Sequence, residues 1–167
     1  PEVAISTPGQ SIDEDTPFSL TFAGNKFTDA DGETLSVSAQ LVGGSALPSW
    51  LSFDTENLTL SGTPTNDDVG TIHISAIATD RMGLTAEDQF SITVANVNDA
   101  PIFTAEPNLT VSEDSVYSYS AKVTDVDLGD RVSVVVESKP SWLSYNSTLR
   151  LLSGIPTNSV VGDHTVI

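Results

Sequence analysis

Two aspartates separated by one residue stand at Asp29 and Asp31, with Gly32 next, and the pattern returns at Asp125 and Asp127 ahead of Gly129. Two carboxylates on one tight loop repel each other unless a cation lies between them. Ca²⁺ takes six to eight oxygen ligands in a loose geometry, which such loops can supply. Asp and Gly are also ordinary turn formers, so one isolated pair reads as a solvated turn. These pairs are not isolated. The run Asn96 to Pro101, "NVNDAP", gathers oxygen-bearing side chains ahead of a proline, and further acids stand at Glu14 and in the loop Thr65 to Asp68.

Other chemistries find less support. The two histidines, His73 and His164, read as lying on the same kind of strand, far apart in sequence. Neither has a second His, a Cys or a positioned nucleophile nearby, which argues against a zinc site or a Ser-His-Asp arrangement. Paired carboxylates can hydrolyse glycosides. Here they recur in each copy of a repeated module, which fits ligation better than catalysis. The chain therefore reads as a non-enzymatic protein.

Six basic residues face twenty-three acidic ones, for a formal net charge of -17. With no Lys/Arg cluster, nucleic acid and anionic membrane surfaces are poor partners. There are no cysteines, so rigidity in an exported chain would come from metal ions instead of disulfides. No apolar run approaches the roughly 18 residues of a membrane span. The first and last residues, Pro1 and Ile167, read as the ends of a fragment of a longer chain.

The elements that must position these acids follow from an internal repeat. "LPSWLSF" (47–53) returns as "KPSWLSY" (139–145), and "LSGTPTNDDVG" (60–70) as "LSGIPTNSVVG" (152–162). "DEDT" (13–16) returns as "SEDS" (112–115), and "FTDADG" (27–32) as "VTDVDLG" (123–129). The repeat unit of about 95 residues is the size of one β-sandwich. The copies span 1–99 and 100–167, the second stopping inside the strand that corresponds to Thr71–Thr79.

Within the first copy, Phe18, Leu20 and Phe22 alternate with polar residues, as do Leu35, Val37, Ala39 and Leu41. Ile72, Ile74, Ala76 and Ala78 repeat the pattern, and Phe90, Ile92 and Val94 close it. Such period-2 alternation marks half-buried strands. With short strands at 51–53 and 58–60 and an edge strand before Asp13, the count is about seven. The fold class is all-β: two tandem seven-stranded antiparallel sandwiches, the second truncated. Trp50 and Trp142 read as packing between sheets. In a sandwich that the chain crosses from end to end, Glu14 and the loop 65–68 face the linker from one side. The loop of Asp125 and Asp127 faces it from the other.

The stretch Ala78 to Pro101, "ATDRMGLTAEDQFSITVANVNDAP", resembles the end of a cadherin repeat, where an A-x-D-x-G turn precedes a strand and a D-x-N-D-N-x-P linker. The "PSWLSF…LSGTPTNDDVG" stretch is similar to the dystroglycan-type cadherin-like, or Ig-like, modules of bacterial surface proteins. The resemblance implies Greek-key sandwiches of Ig-like or cadherin-like type, and it implies calcium ligands. Glu14 matches the acidic residue near the first strand, Asp67 or Asp68 the acidic D-R-E turn, Asn96, Asn98 and Asp99 the linker, and Asp125 with Asp127 the next module's D-x-D. Asp29, Asp31 and Asp80 would form an incomplete site facing a preceding module, and Glu113 would serve a third. Asn96 and Ala100 depart from the linker pattern, and "TNDD" does not reproduce the D-R-E turn. The implied complement is one to three Ca²⁺ at the junction.

The function expected is that of a calcium-stiffened extracellular spacer or adhesion module of a large surface or secreted protein. Its partners would be adjacent modules of the same chain, with a homophilic or glycan partner possible. The alternative is a carbohydrate- or protein-binding accessory module of a secreted polysaccharide-degrading system. Tyr117, Tyr119 and Tyr145 are the candidate stacking residues, although Tyr117 and Tyr119 align with the core positions Phe18 and Leu20.

Overall fold

A computed structural model describes residues 1–167. The chain divides into two compact units, Pro1–Val97 and Asn98–Ile167.

The first unit holds nine strands: β1 (Glu2–Val3), β2 (Gln10–Asp13), β3 (Phe18–Thr21), β4 (Phe27–Thr28), β5 (Ser36–Leu41), β6 (Leu51–Asp54), β7 (Thr59–Gly62), β8 (Gly70–Thr79) and β9 (Thr85–Ala95). They form a four-stranded sheet in the order β2-β9-β8-β5, a three-stranded sheet in the order β3-β7-β6, and a short β1-β4 ribbon. The alternation read from sequence is the inward face. Phe18, Leu51 and Leu60 from one sheet meet Ile74, Ala76, Ala78, Phe90 and Ile92 from the other, all buried. Phe22, just past β3, sets its ring edge-to-face on Phe90 with centroids 6.0 Å apart and so ties the sheets together. Trp50 is half-buried and stands edge-on to Phe18, with centroids 6.5 Å apart.

Two features differ from the expectation. The strands number nine, because β1 and β4, two residues each, are too short to show alternation. The sandwich is also not wholly antiparallel: β2 runs parallel to β9, with Gln10 opposite Ile92 and Asp13 opposite Ala95. The N-terminal segment pairs with β4 through β1, crosses over between Ala4 and Gly9, and then joins the other sheet through β2. The segment Ala4–Gly9 carries the chain from one pairing to the other, and β2 then runs the same way as β9.

The second unit holds β10 (Ile102–Phe103), β11 (Tyr117–Ser120), β12 (Val123–Thr124), β13 (Leu143–Asn146) and β14 (Leu151–Gly154). They reproduce the β1-β4 ribbon as β10-β12 and the three-stranded sheet as β11-β14-β13. The register is conserved between copies. Phe18 and Leu51 both sit opposite Gly62, and Tyr117 and Leu143 both sit opposite Gly154. Those two glycines are obligatory, because a Cβ at either would overlap the carbonyl oxygen of Trp50 or Trp142.

No strand forms over 131–140 or 161–167. The expected strand at the end of the second copy is present only as backbone hydrogen bonds between Ile167 and Glu137 and Ser138. His164 therefore lies outside any strand, its ring edge-on to Trp142 with centroids 5.9 Å apart, whereas His73 lies on β8.

Candidate metal centre and the family of the chain

The end of the first unit at which β9 leaves is organised by Glu14. It follows β2 directly, and its backbone N–H continues the ladder by donating to the Ala95 carbonyl at 3.0 Å. Its carboxylate Oε1 accepts the Val97 N–H at 2.7 Å. The side chain is 1% exposed, and Oε2 is buried with no hydrogen-bond partner. A buried carboxylate oxygen without a donor costs free energy on the order of 1–3 kcal/mol or more unless a cation or an ordered water meets it. The residues at this end thus fit a hard, oxygen-seeking cation such as Ca²⁺.

Of the two acids in the 65–68 loop, Asp68 is already engaged. Its Oδ2 accepts both the N–H and the hydroxyl of Thr65 at 2.9 Å, closing the single 3-10 turn Asn66–Asp68. Asp67 is exposed in the same turn. Asn96 is exposed just beyond β9.

In the second unit, Asp127 is buried and draws two expected ligands together. Its Oδ2 accepts the Asp99 N–H at 2.6 Å, and its own N–H donates to Asp125 Oδ1 at 3.1 Å. Asn98 turns its amide to the Asp99 carbonyl at 2.9 Å. Carboxylate oxygens of Asp125, Asp127 and Asp130 lie within 4.8 Å of one another. At that spacing each like-charged pair repels by about 1 kcal/mol even at the dielectric constant of water. Asp130 was not among the residues singled out from sequence. The signal for it is its place one residue beyond Gly129, where the D-x-D loop turns back and the Asp130 N–H reaches the Asp127 carbonyl at 3.3 Å.

At the other end of the first unit, Asp29 Oδ1 accepts the Asp31 N–H at 2.9 Å. Asp80 faces its own hairpin: Oδ1 accepts the N–H groups of Met82 and Leu84, both at 2.9 Å, around Gly83 with φ +86°. Asp31 is exposed.

Not every acid lies in a loop, and β9 carries a buried one. Asp88 lies in the middle of this strand, buried at 6% exposure, against the equally buried Lys26. Lys26 Nζ donates to Asp88 Oδ2 at 2.5 Å, to Thr7 Oγ1 at 2.6 Å and to the Ile5 carbonyl at 2.9 Å. Burial alone would push the Asp88 carboxyl up, but the Lys26 and Thr7 donors outweigh it and hold it below its ordinary value. No local pattern marks this pair, because its members are 62 residues apart.

The three tyrosines are half-buried, and two spend their hydroxyls inside the second unit. Tyr119 donates to the Ala105 carbonyl at 2.7 Å and Tyr145 to the Val134 carbonyl at 2.9 Å. Tyr117 packs edge-on to Trp142, with centroids 6.1 Å apart. No helix is long and apolar enough to cross a membrane.

Among known proteins, the "Serine-rich adhesin for platelets" of Staphylococcus aureus strain MRSA252 is 30% identical over 139 residues, 83% of this chain but 10% of the relative. The protein of the same name from strain USA300 matches equally, over 6% of its length. The chain thus spans about a tenth or less of these relatives. Similar solved structures include an endo-fucoidan hydrolase of glycoside hydrolase family 107, MfFcnA9, at 21% identity and TM-score 0.45, covering 96% of this chain and 32% of that one. The human desmocollin-1 ectodomain matches at 13% identity and TM-score 0.44, covering 97% and 37%. A family model matches both copies, residues 1–95 and 100–167. The Ig-like module read from the repeat is therefore the unit of a known family: this chain belongs to the family described as "Putative Ig domain".

Proposed function

We propose that the chain is a calcium-binding spacer and adhesion segment of an extracellular surface protein, its joint stiffened by Ca²⁺ and its partners chiefly the neighbouring modules of the same chain. The ligands proposed are Glu14 and Asp67 from the first unit, Asn96, Asn98 and Asp99 from the linker, and Asp125 and Asp127 from the second, with Asp68 held back by its Thr65 bonds. Asp29, Asp31 and Asp80 form the proposed incomplete site at the opposite end of the first unit. The observation that carries this reading is the buried Glu14 carboxylate with an oxygen lacking a partner. The likeness to a staphylococcal adhesin supports the surface-exposed, adhesive part.

The mechanism is electrostatic. Without a cation the linker acids repel and the joint bends; with one, that repulsion is compensated and the joint stiffens. Extracellular modules bind Ca²⁺ with Kd on the order of 10⁻⁴–10⁻³ M. At ten times Kd one site stabilises the liganded form by about 1.4 kcal/mol.

Small-angle X-ray scattering in millimolar calcium and in excess EDTA tests the reading. The maximum dimension and rigidity should rise with calcium and not with magnesium. The rise should vanish in the double variant Asp125→Asn, Asp127→Asn while the first unit stays folded. Coincident profiles in calcium and EDTA would sink the proposal.

A further inference from the structure

The first unit places the strand by which the chain comes in beside the strand by which it goes out. β2 and β9 are neighbours and run parallel, Gln10–Asp13 along Ile92–Ala95. Tension applied at Pro1 and at Val97 pulls β2 toward its N-terminus and β9 toward its C-terminus. Two parallel neighbours are then sheared along their length, so the bonds between them bear the force together. An antiparallel pair pulled at one end, such as β5 and β8, opens bond by bond instead. Forced unfolding is governed by the unfolding rate, and breaking several bonds at once is the slower route.

The surroundings of this ladder reinforce it at both ends. Ahead of it, the crossing segment Ala4–Gly9 is bolted to β9. Lys26 Nζ holds the Ile5 carbonyl, the Thr7 hydroxyl and Asp88, and the Thr7 N–H donates to the same Asp88 Oδ2 at 2.9 Å. Both charged side chains are more than nine-tenths buried, so water cannot replace these bonds one at a time as the segment is pulled. Beyond the ladder, the Glu14 N–H to Ala95 carbonyl bond and the Val97 N–H to Glu14 Oε1 bond extend it past its last strand pair.

We infer that the first unit is a tension-bearing element, in which the parallel β2–β9 ladder and the buried Lys26–Asp88 bolt form a shear clamp between the incoming and outgoing chain. This function needs no ion.

The chain has no cysteine, so introduced pairs define the points of pulling on the full 167-residue chain. Single-molecule force spectroscopy in excess EDTA compares handles at Pro1→Cys and Val97→Cys with handles at Glu33→Cys and Arg81→Cys, a half-buried and an exposed position near one end of the β5–β8 pair. The first geometry should unfold the unit at a force at least about two-fold higher at the same loading rate, because it shears where the second unzips. Equal or lower force in the first geometry overturns the inference. A second variant, Lys26→Met with Asp88→Leu, removes the bolt without leaving a lone buried charge. Its end-to-end unfolding force should fall while the Glu33/Arg81 force stays within error; an unchanged end-to-end force overturns the role of the bolt. Because calcium is chelated throughout, failure here is distinguishable from failure of the calcium reading.

Discussion

Glu14 and Glu113 occupy the same step of the repeat, each one residue before an aspartate held at positive φ, Asp15 at +56° and Asp114 at +59°. Each of those aspartates donates its N–H to an equivalent carbonyl, of Pro64 at 2.8 Å and of Pro156 at 2.7 Å. Yet Glu14 is buried and Glu113 is exposed. Lys26 and Lys122 form a second such pair. Their carbonyls accept the N–H groups of Ala4 and Thr104, both at 2.8 Å, but Lys26 is buried and Lys122 exposed. In both pairs the backbone is the same, and the first unit's members also meet β9 or the residues just beyond it. This strand supplies Asp88 to Lys26, and Ala95 at its end accepts the Glu14 N–H, with Val97 just beyond it donating to the carboxylate. Residues 98–167 include no counterpart of β9 to do either. Local sequence thus sets the turns and the register, while the burial of polar groups depends on a strand far along the chain.

The sharpest way to break this comparison is to remove one partner of the buried pair. Asp88→Ala leaves the Lys26 ammonium buried and uncompensated, which should destabilise the first unit by about 3–5 kcal/mol. Lys122→Ala, at the matching place in the second unit, should change stability by no more than about 0.5 kcal/mol. The two tryptophans report each unit separately, Trp50 in a Trp142→Phe background and Trp142 in a Trp50→Phe background. Equal effects in urea melts followed by fluorescence would show that the β9 pairing does not distinguish the units.

Acid titration sharpens the same point. The folded-state pKa of Asp88 is lowered, so its contribution is present above the unfolded value near 3.9 and is lost as pH falls through the lower folded value. The first unit should lose stability steeply below about pH 4. In a Lys26→Met, Asp88→Leu background that added loss should disappear, as read from the Trp50 transition.

Glu14→Gln keeps the shape of the side chain and removes its charge. In EDTA the change should be neutral or slightly stabilising, because an unmatched buried oxygen loses its negative charge. In calcium at ten times Kd the variant should forgo the stabilisation of about 1.4 kcal/mol. Glu113→Gln should alter neither state. Calcium titrations monitored by thermal denaturation would decide it, and a full calcium response in Glu14→Gln would remove Glu14 from the site.

The comparison also marks what sequence could and could not reveal. β3, β5, β8 and β9 were legible because one face of each meets the core and the alternation follows. The D-x-D loops were legible because they recur. The parallel β2–β9 pairing was not, since four residues of edge strand carry no mark of direction. Lys26 and Asp88 were not, since nothing local tells a lysine that its partner lies on a strand 62 residues away. The Glu14 carboxylate was named as a ligand, but its burial rests on a contact across 83 residues.

The smallest effect tests what the two units share. Asp15 and Asp114 both adopt the left-handed conformation, which costs an L-residue about 1 kcal/mol, less for Asp than for most. Glycine relieves that strain in the folded state but loosens the unfolded chain, so the two effects nearly cancel. Asp15→Gly and Asp114→Gly should therefore each shift stability by less than about 1 kcal/mol, and by the same amount. The Asp15 and Asp114 N–H groups are each held by the matching proline carbonyl, Pro64 or Pro156, and β9 takes no part in those bonds. If the two glycine variants differ by as much as Asp88→Ala and Lys122→Ala do, then β9 also controls the local turns, and the division between local register and distant burial fails.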